Sequence, residues 1–185
     1  MRPAADLSPW SAADQLSRYP CGPTRMADTT LSFRAETQRI SLMLGVADVN
    51  GLVSWADAEI EASDVPAAPL FDLSLGRMKS RTELLSFLNS LVTEPTGSDP
   101  LKIVLRIVAR RIRDGSLDVG TAIQSIFDFL KHDRVDDDLY ITFVTLEDDY
   151  ADIRDGVYGN GDFSGLRESL LHELDAFTKS DVSAG

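Results

Sequence analysis

Leu139-Tyr140-Ile141-Thr142-Phe143-Val144-Thr145-Leu146 is the stretch on which the fold turns. Its β-branched and aromatic residues favour a strand, and a strand here would put a sheet into a chain that is otherwise helical in pattern. The wider spacing decides against it. Leu139, Phe143, Leu146, Tyr150 and Ile153 recur every three or four residues, for about four helical turns. Strands are seldom that long. The segment reads as an amphipathic helix, and the chain as all-α.

Outward from this helix the same spacing continues. Phe163, Leu166, Leu170, Leu171, Leu174 and Phe177 define a last helix, after loop signals at Asp155-Gly156 and Gly159-Asn160-Gly161. On the N-terminal side, Val119, Ala122, Ile123, Ile126 and Leu130 form one stripe, and Leu101, Val104, Leu105, Val108 and Ile112 another. The Asp114-Gly115-Ser116 turn between them predicts an antiparallel hairpin. Asp99 is the expected N-cap of the earlier helix, with Pro100 at the first helical position. Ser80 and Glu83 have capping-box spacing before Leu84, Leu85, Leu88 and Leu91. Leu70 to Leu75 forms a short helix after Pro66 and Pro69. Val49, Leu52, Val53, Ala56 and Ile60 give another, capped by Asp48 or Asn50, and Phe33, Thr37, Ile40 and Leu44 give the first, ended by Gly45. Seven to eight helices joined by short loops predict one all-α domain of antiparallel hairpins, a bundle or a short stack.

At 185 residues the chain suits a single core. The expected boundaries are an irregular Pro- and Gly-containing arm over 1–25, a helical domain over 26–180 and a tail over 181–185. Trp10, Leu16 and Tyr19 could pack that arm onto the domain; equally, Met26 could be the true start. A lone cysteine, Cys21, permits no internal disulfide, which fits a cytoplasmic protein. No window is apolar enough to span a bilayer, and a net charge of −12 opposes contact with nucleic acid. A monomer is expected.

Between Asp133 and Asp162, ten acidic residues face only Arg134 and Arg154, leaving eight of the twelve net negative charges in one stretch. Asp136, Asp137, Asp138, Glu147, Asp148, Asp149, Asp152 and Asp155, with Tyr150 and Tyr158 at the edge, form a candidate surface for a basic partner, because complementary potentials speed encounter. The plainer alternative is a solvated face. Lys102, Arg106, Arg110, Arg111 and Arg113 lie on one helix, read here as a basic element beside the acidic segment or as solvated arginines.

Catalytic and metal chemistry find little support. A nucleophile needs a base within reach, and neither His132 nor His172 shares a motif with Cys21. His132 suits a helix C-terminus, where the dipole favours a cation. Glu168, His172 and Asp175 read as a surface ion-pair cluster ahead of a metal clasp. Neither Asp133–Asp138 nor Asp155–Gly159 has the ligand spacing of a calcium loop. No catalytic, cofactor or metal residue is assigned, and no cofactor is expected.

Trp55-Ala56-Asp57, Asp64-Val65-Pro66 and Asp72-Leu73-Ser74-Leu75 follow one another, with Leu84-Leu85, Arg110-Arg111-Ile112-Arg113-Asp114-Gly115 and Asp152-Ile153-Arg154-Asp155-Gly156-Val157-Tyr158-Gly159 later in the same order. Over about Val49 to Gly161 this series resembles small helical bacterial immunity-type proteins associated with polymorphic or contact-dependent toxins. The resemblance implies stoichiometric binding rather than turnover: an immunity protein that occludes a cognate toxin domain, for which a basic nuclease would suit the acidic stretch. It implies fold-defining roles for Trp55, Asp57, Asp72 and Tyr158 and assigns no contact residue. Other readings are a helical adaptor or regulator, and a carboxylate- or metal-dependent hydrolase.

Overall fold

The computed structural model describes residues 30–133, 136–157 and 163–179. Tyr158, the Gly159–Gly161 loop, the arm over 1–25 and the tail over 181–185 lie outside the described residues. Among the described residues eight α-helices run in order: α1 Leu31–Met43, α2 Val49–Glu61, α3 Ala68–Ser74, α4 Arg81–Leu91, α5 Asp99–Arg113, α6 Val119–Asp133, α7 Asp137–Arg154 and α8 Phe163–Lys179. A 3₁₀ turn, Gly76–Met78, links α3 to α4. Among the described residues there is no strand, so the protein is a single all-α domain. The residues 139–146 are helical because α7 turns Leu139, Phe143 and Leu146 inward together; packing of that stripe outweighs strand propensity. Among the described residues no helix is long and apolar enough to cross a membrane.

Local signals set most helix ends. Asp48 caps α2 by accepting from the Gly51 N–H at 2.7 Å, and the Ser80–Glu83 capping box opens α4 with both reciprocal bonds. Gly45, at φ 67°, ends α1 in a Schellman turn: the Val46 N–H reaches the Ser41 carbonyl at 2.8 Å and the Gly45 N–H reaches Leu42. One boundary differs from expectation by a residue. Ser98, not Asp99, is the N-cap of α5, and it makes no side-chain cap bond. Asp99 and Pro100 occupy the first two helical positions, where a missing N–H is equally harmless.

The core has two parts that meet at α1. Leu52, Ala56, Leu70, Leu73, Leu84, Leu88 and Leu91 from α2 to α4 pack with Ala35 and Leu42 of α1. Residues of α5 to α8 pack with Ile40, Leu44 and Val46. No residue from Leu31 to Leu44 is exposed. The stripe Phe33, Thr37, Ile40 and Leu44 therefore describes only one of two buried sides.

Antiparallel pairing is present, between other partners than the Asp114–Ser116 turn suggested. Helices α5 and α6 touch only sparingly. Instead α6 pairs with α7: the Phe127 and Tyr140 rings stack at 6.0 Å, while Gly120 meets Tyr150 at the far end, which fixes opposite directions. Likewise Arg106 donates to the Thr178 carbonyl and Arg167 to those of Ile112 and Arg113, so α5 and α8 are antiparallel. Helices α1 and α4 pair in the same way, through Ser32 with Glu94 and Arg81 with Leu42 and Met43.

Two tests address this packing. A Cβ built on Gly120 would collide with the Tyr150 ring. Gly120→Ala is expected to cost about 1–3 kcal/mol by overpacking. Adding Tyr150→Ala should make the pair non-additive in chemical denaturation; a stabilising Gly120→Ala would contradict the close approach. At α1, Arg39→Met strands Glu36 and Asp133 and is expected to cost more than Arg113→Met on the exposed α5–α8 pair, because the Arg39 side chain is 12% exposed against 46%. Equal denaturation midpoints for the two variants would contradict that ranking.

Candidate functional site

The acidic stretch falls on α7 and its ends, and folding divides its carboxylates between two uses. Asp133 turns inward from the end of α6 and meets Arg39 of α1 at 3.2 Å. Asp136 is the N-cap of α7, its carboxylate accepting from the Leu139 N–H at 2.8 Å. Asp155 forms the C-cap and pairs with Arg154 at 2.9 Å; hydrogen bonding and charge from that arginine hold the Asp155 carboxyl below its ordinary value. These three serve the fold.

Asp137, Asp138, Asp148 and Asp149 are exposed and Asp152 is half-exposed. With 3.6 residues per turn, Asp137, Ile141, Asp148 and Asp152 share one side of α7, and Asp138, Thr142, Thr145 and Asp149 lie beside them. None of the five carboxylates forms an ion pair among the described residues. Asp137 and Asp138 occupy the first helical turn, where the dipole favours negative charge. The other three come roughly 15 Å further along the axis. Between the two acidic groups stands Ile141, 63% exposed. Thr142 and Thr145 turn their hydroxyls back onto the carbonyls of Asp138 and Ile141.

Glu147 is half-buried and lies about a third of a turn away from the Ile141 side. Tyr150 is also half-buried. It packs against Gly120 of α6 and edge-on to Phe163 of α8 at 6.4 Å, with the Arg154 guanidinium 5.9 Å from its ring. The ring thus anchors α7 to its neighbours. Tyr158 lies outside the described residues. Reading residue types in order located the acids; it missed Ile141, whose signal was an apolar residue off the α7 stripe.

The basic helix is engaged elsewhere. Lys102, expected on the solvent side of α5, is buried, with Nζ 5.5 Å from the Phe177 ring. Arg106 reaches the Thr178 carbonyl at 2.7 Å, and Arg113 meets Asp175 at 2.6 Å. All three contacts are with α8, so these three cations do not neutralise α7. His132 places Nδ1 2.7 Å from the Asp128 carbonyl, closing the end of α6 as a donor.

Glu168, His172 and Asp175 line a shallow depression on α8 of about 380 Å³, but Asp175 is taken by Arg113 and Lys179. Among the described residues no group of three or more His, Cys, Asp or Glu side chains converges to hold a metal ion. Asp57 accepts from the Ser74 hydroxyl, tying α2 to α3, and Trp55 packs at the edge of their core.

The α5–α8 pair carries a pH signature. The Arg113 hydrogen bond holds the Asp175 carboxyl below the usual carboxylate range. A depressed folded pKa contributes stability above the unfolded value near 4, lost as pH falls through the folded value. Asp175→Asn should therefore flatten the acid limb of stability against pH, converging with the parent at the lowest pH. Identical slopes for the two proteins below about pH 5 would remove the pair from the stability account.

Comparison with known proteins adds no relative: no family model, no curated protein and no solved structure matches the chain.

Proposed function

We propose that this protein is a binding protein of the immunity type, which neutralises a basic toxin domain through the outward face of α7. The observation that carries the reading is the arrangement around Ile141: an exposed apolar side chain between two groups of carboxylates that form no ion pair among the described residues. Interfaces concentrate their energy in a small desolvated centre and draw approach rate from surrounding charge. A nuclease domain is basic in order to hold phosphates, so an acidic face with an apolar centre can occupy the cleft that nucleic acid would enter. The ordered resemblance to immunity-type proteins supports the same class. Placement inside the producing cell, and a monomeric free state, belong to this proposal. A helical adaptor could present the same face to a basic partner that is not toxic; protection in co-expression separates the two.

The test uses co-expression with a basic nuclease toxin domain, sought first in the gene adjacent to this one, and binding kinetics with that purified domain. Changing Asp137, Asp138, Asp148 and Asp149 together to Asn should slow association at least about tenfold at low salt and flatten its salt dependence. Ile141→Ala should instead speed dissociation, at a cost of roughly 1–2 kcal/mol. Both variants should keep the parent's thermal midpoint within a few degrees. Variants that fold, bind and protect like the parent would leave α7 as a solvated face and end the proposal.

A further inference from the structure

Helix α3 and the 3₁₀ turn after it expose an apolar ridge that the core does not use. Leu70, Leu73 and Gly76 are buried on the inner side, and Gly76 lies so close to Leu84 and Val53 that a Cβ there would crowd them. Helical winding continues past α3, because the Leu75 N–H bonds to the Phe71 carbonyl and the Met78 N–H to that of Leu75. The outer side then carries Phe71, Leu75 and Met78, spaced by four and three residues and 50%, 67% and 91% exposed. Residues 75–82 also hold Arg77, Lys79 and Arg81 and no acid. Arg77 is exposed and forms no ion pair among the described residues. Lys79 places Nζ 5.5 Å from the Phe87 ring, and Arg81 donates to the Leu42 and Met43 carbonyls; neither contact neutralises a positive charge. Asp72, the acid of α3, lies about 100° round the helix from Phe71.

We infer that this ridge docks on the outward face of α7 in a second copy of the chain, as a weak head-to-tail contact. Charge complementarity identifies that occupant. The α7 face presents Ile141 between Asp137 and Asp138 on one side and Asp148, Asp149 and Asp152 on the other. The ridge presents an apolar centre with a basic flank, so one docking brings apolar side chains together and opposite charges beside them. A flat anionic bilayer would instead meet further acids of a chain with net charge −12, whereas a helix face meets the ridge alone. The contact is small. Three side chains against one isoleucine fall well short of the roughly 1,600 Å² buried in a stable complex. The dilute protein therefore stays monomeric, and copies associate with a Kd on the order of 100 µM. The inference rests on the reading of α7 as a docking face, and a basic domain bound tightly there displaces the second copy.

Sedimentation velocity of the whole protein tests this with two variants that change only exposed side chains. One carries Leu75→Ser and Met78→Ser on the ridge; the other carries Asp137→Asn, Asp138→Asn, Asp148→Asn and Asp149→Asn on α7. From about 10 µM to about 1 mM protein at about 0.1 M salt, the parent should self-associate and each variant should do so at least about tenfold more weakly. An equimolar mixture of the two should recover association as one-to-one pairs, because each variant supplies the face that the other lacks. Arg77→Glu, which keeps the apolar ridge, should weaken self-association at least about threefold with an unchanged thermal midpoint. A parent that stays monomeric throughout overturns the inference, whether or not it binds phosphatidylserine vesicles. An α7 variant that associates like the parent also overturns it, since ridge would then be meeting ridge. So does a mixture that fails to pair. No toxin domain enters this experiment, so its failure leaves the immunity reading standing, and failure of that reading leaves the self-contact standing.

Discussion

Burial of α1 on both sides is the constraint on which the other helices depend. Its sequence contains Arg34, Glu36 and Arg39 among short polar residues, and such a helix can be enclosed only if each charge meets another. Arg34 forms a two-bond fork with Glu59 of α2. Arg39 forms one with Glu36 and extends to Asp133 of α6, with the Phe129 ring 6.0 Å away. These bonds and neighbouring charges raise the Arg39 pKa despite the opposing effect of burial. Unpaired, such groups would oppose burial by several kcal/mol each. Paired, they let one helix present Ala35 and Leu42 to one half-core and Ile40 and Leu44 to the other.

The same economy of charge shapes the surface. Charge balance alone would have a chain with net charge −12 neutralise its densest acids with its densest bases. The fold does otherwise, because α5 is antiparallel to α8 and three of its cations, Lys102, Arg106 and Arg113, are engaged there by a half-buried ring, a carbonyl and Asp175. Helix α7 pairs with α6 through aromatic contact and the small Gly120 instead. Its outer carboxylates are left facing solvent at low cost, since water screens them and two stand at a helix N-terminus. The surface proposed for a partner is thus what remains once the fold has taken the charges it needs.

Dense acids in the sequence were accordingly not equivalent in the structure. Asp136 and Asp155 cap α7, Asp133 braces α1, and Tyr150 is a packing residue. Position at a helix end sets Asp133, Asp136 and Asp155 apart, helical phase separates Tyr150 from Asp137, Asp148 and Asp152, and only the neighbouring helices settle which phase faces outward. Ile141 illustrates the point. Within 139–146 it looks like one more apolar residue of a buried element, yet it is exposed because Leu139, Phe143 and Leu146 already occupy the inner side.

Periodicity and capping chemistry determined, without any contact map, that the chain is all-α, where most helices begin and end, and which leucines line α4 and α8. Those features depend on residues within a few positions of one another, and so are legible along the chain. Partnerships were not. That α5 lies against α8, that α6 lies against α7, and that α1 is enclosed on two sides follow from side-chain fit and charge pairing between residues as far apart as Arg39 and Asp133. Spacing within one helix carries no information about such distant partners, so the tertiary structure alone decided which charges the fold consumes and which it leaves exposed.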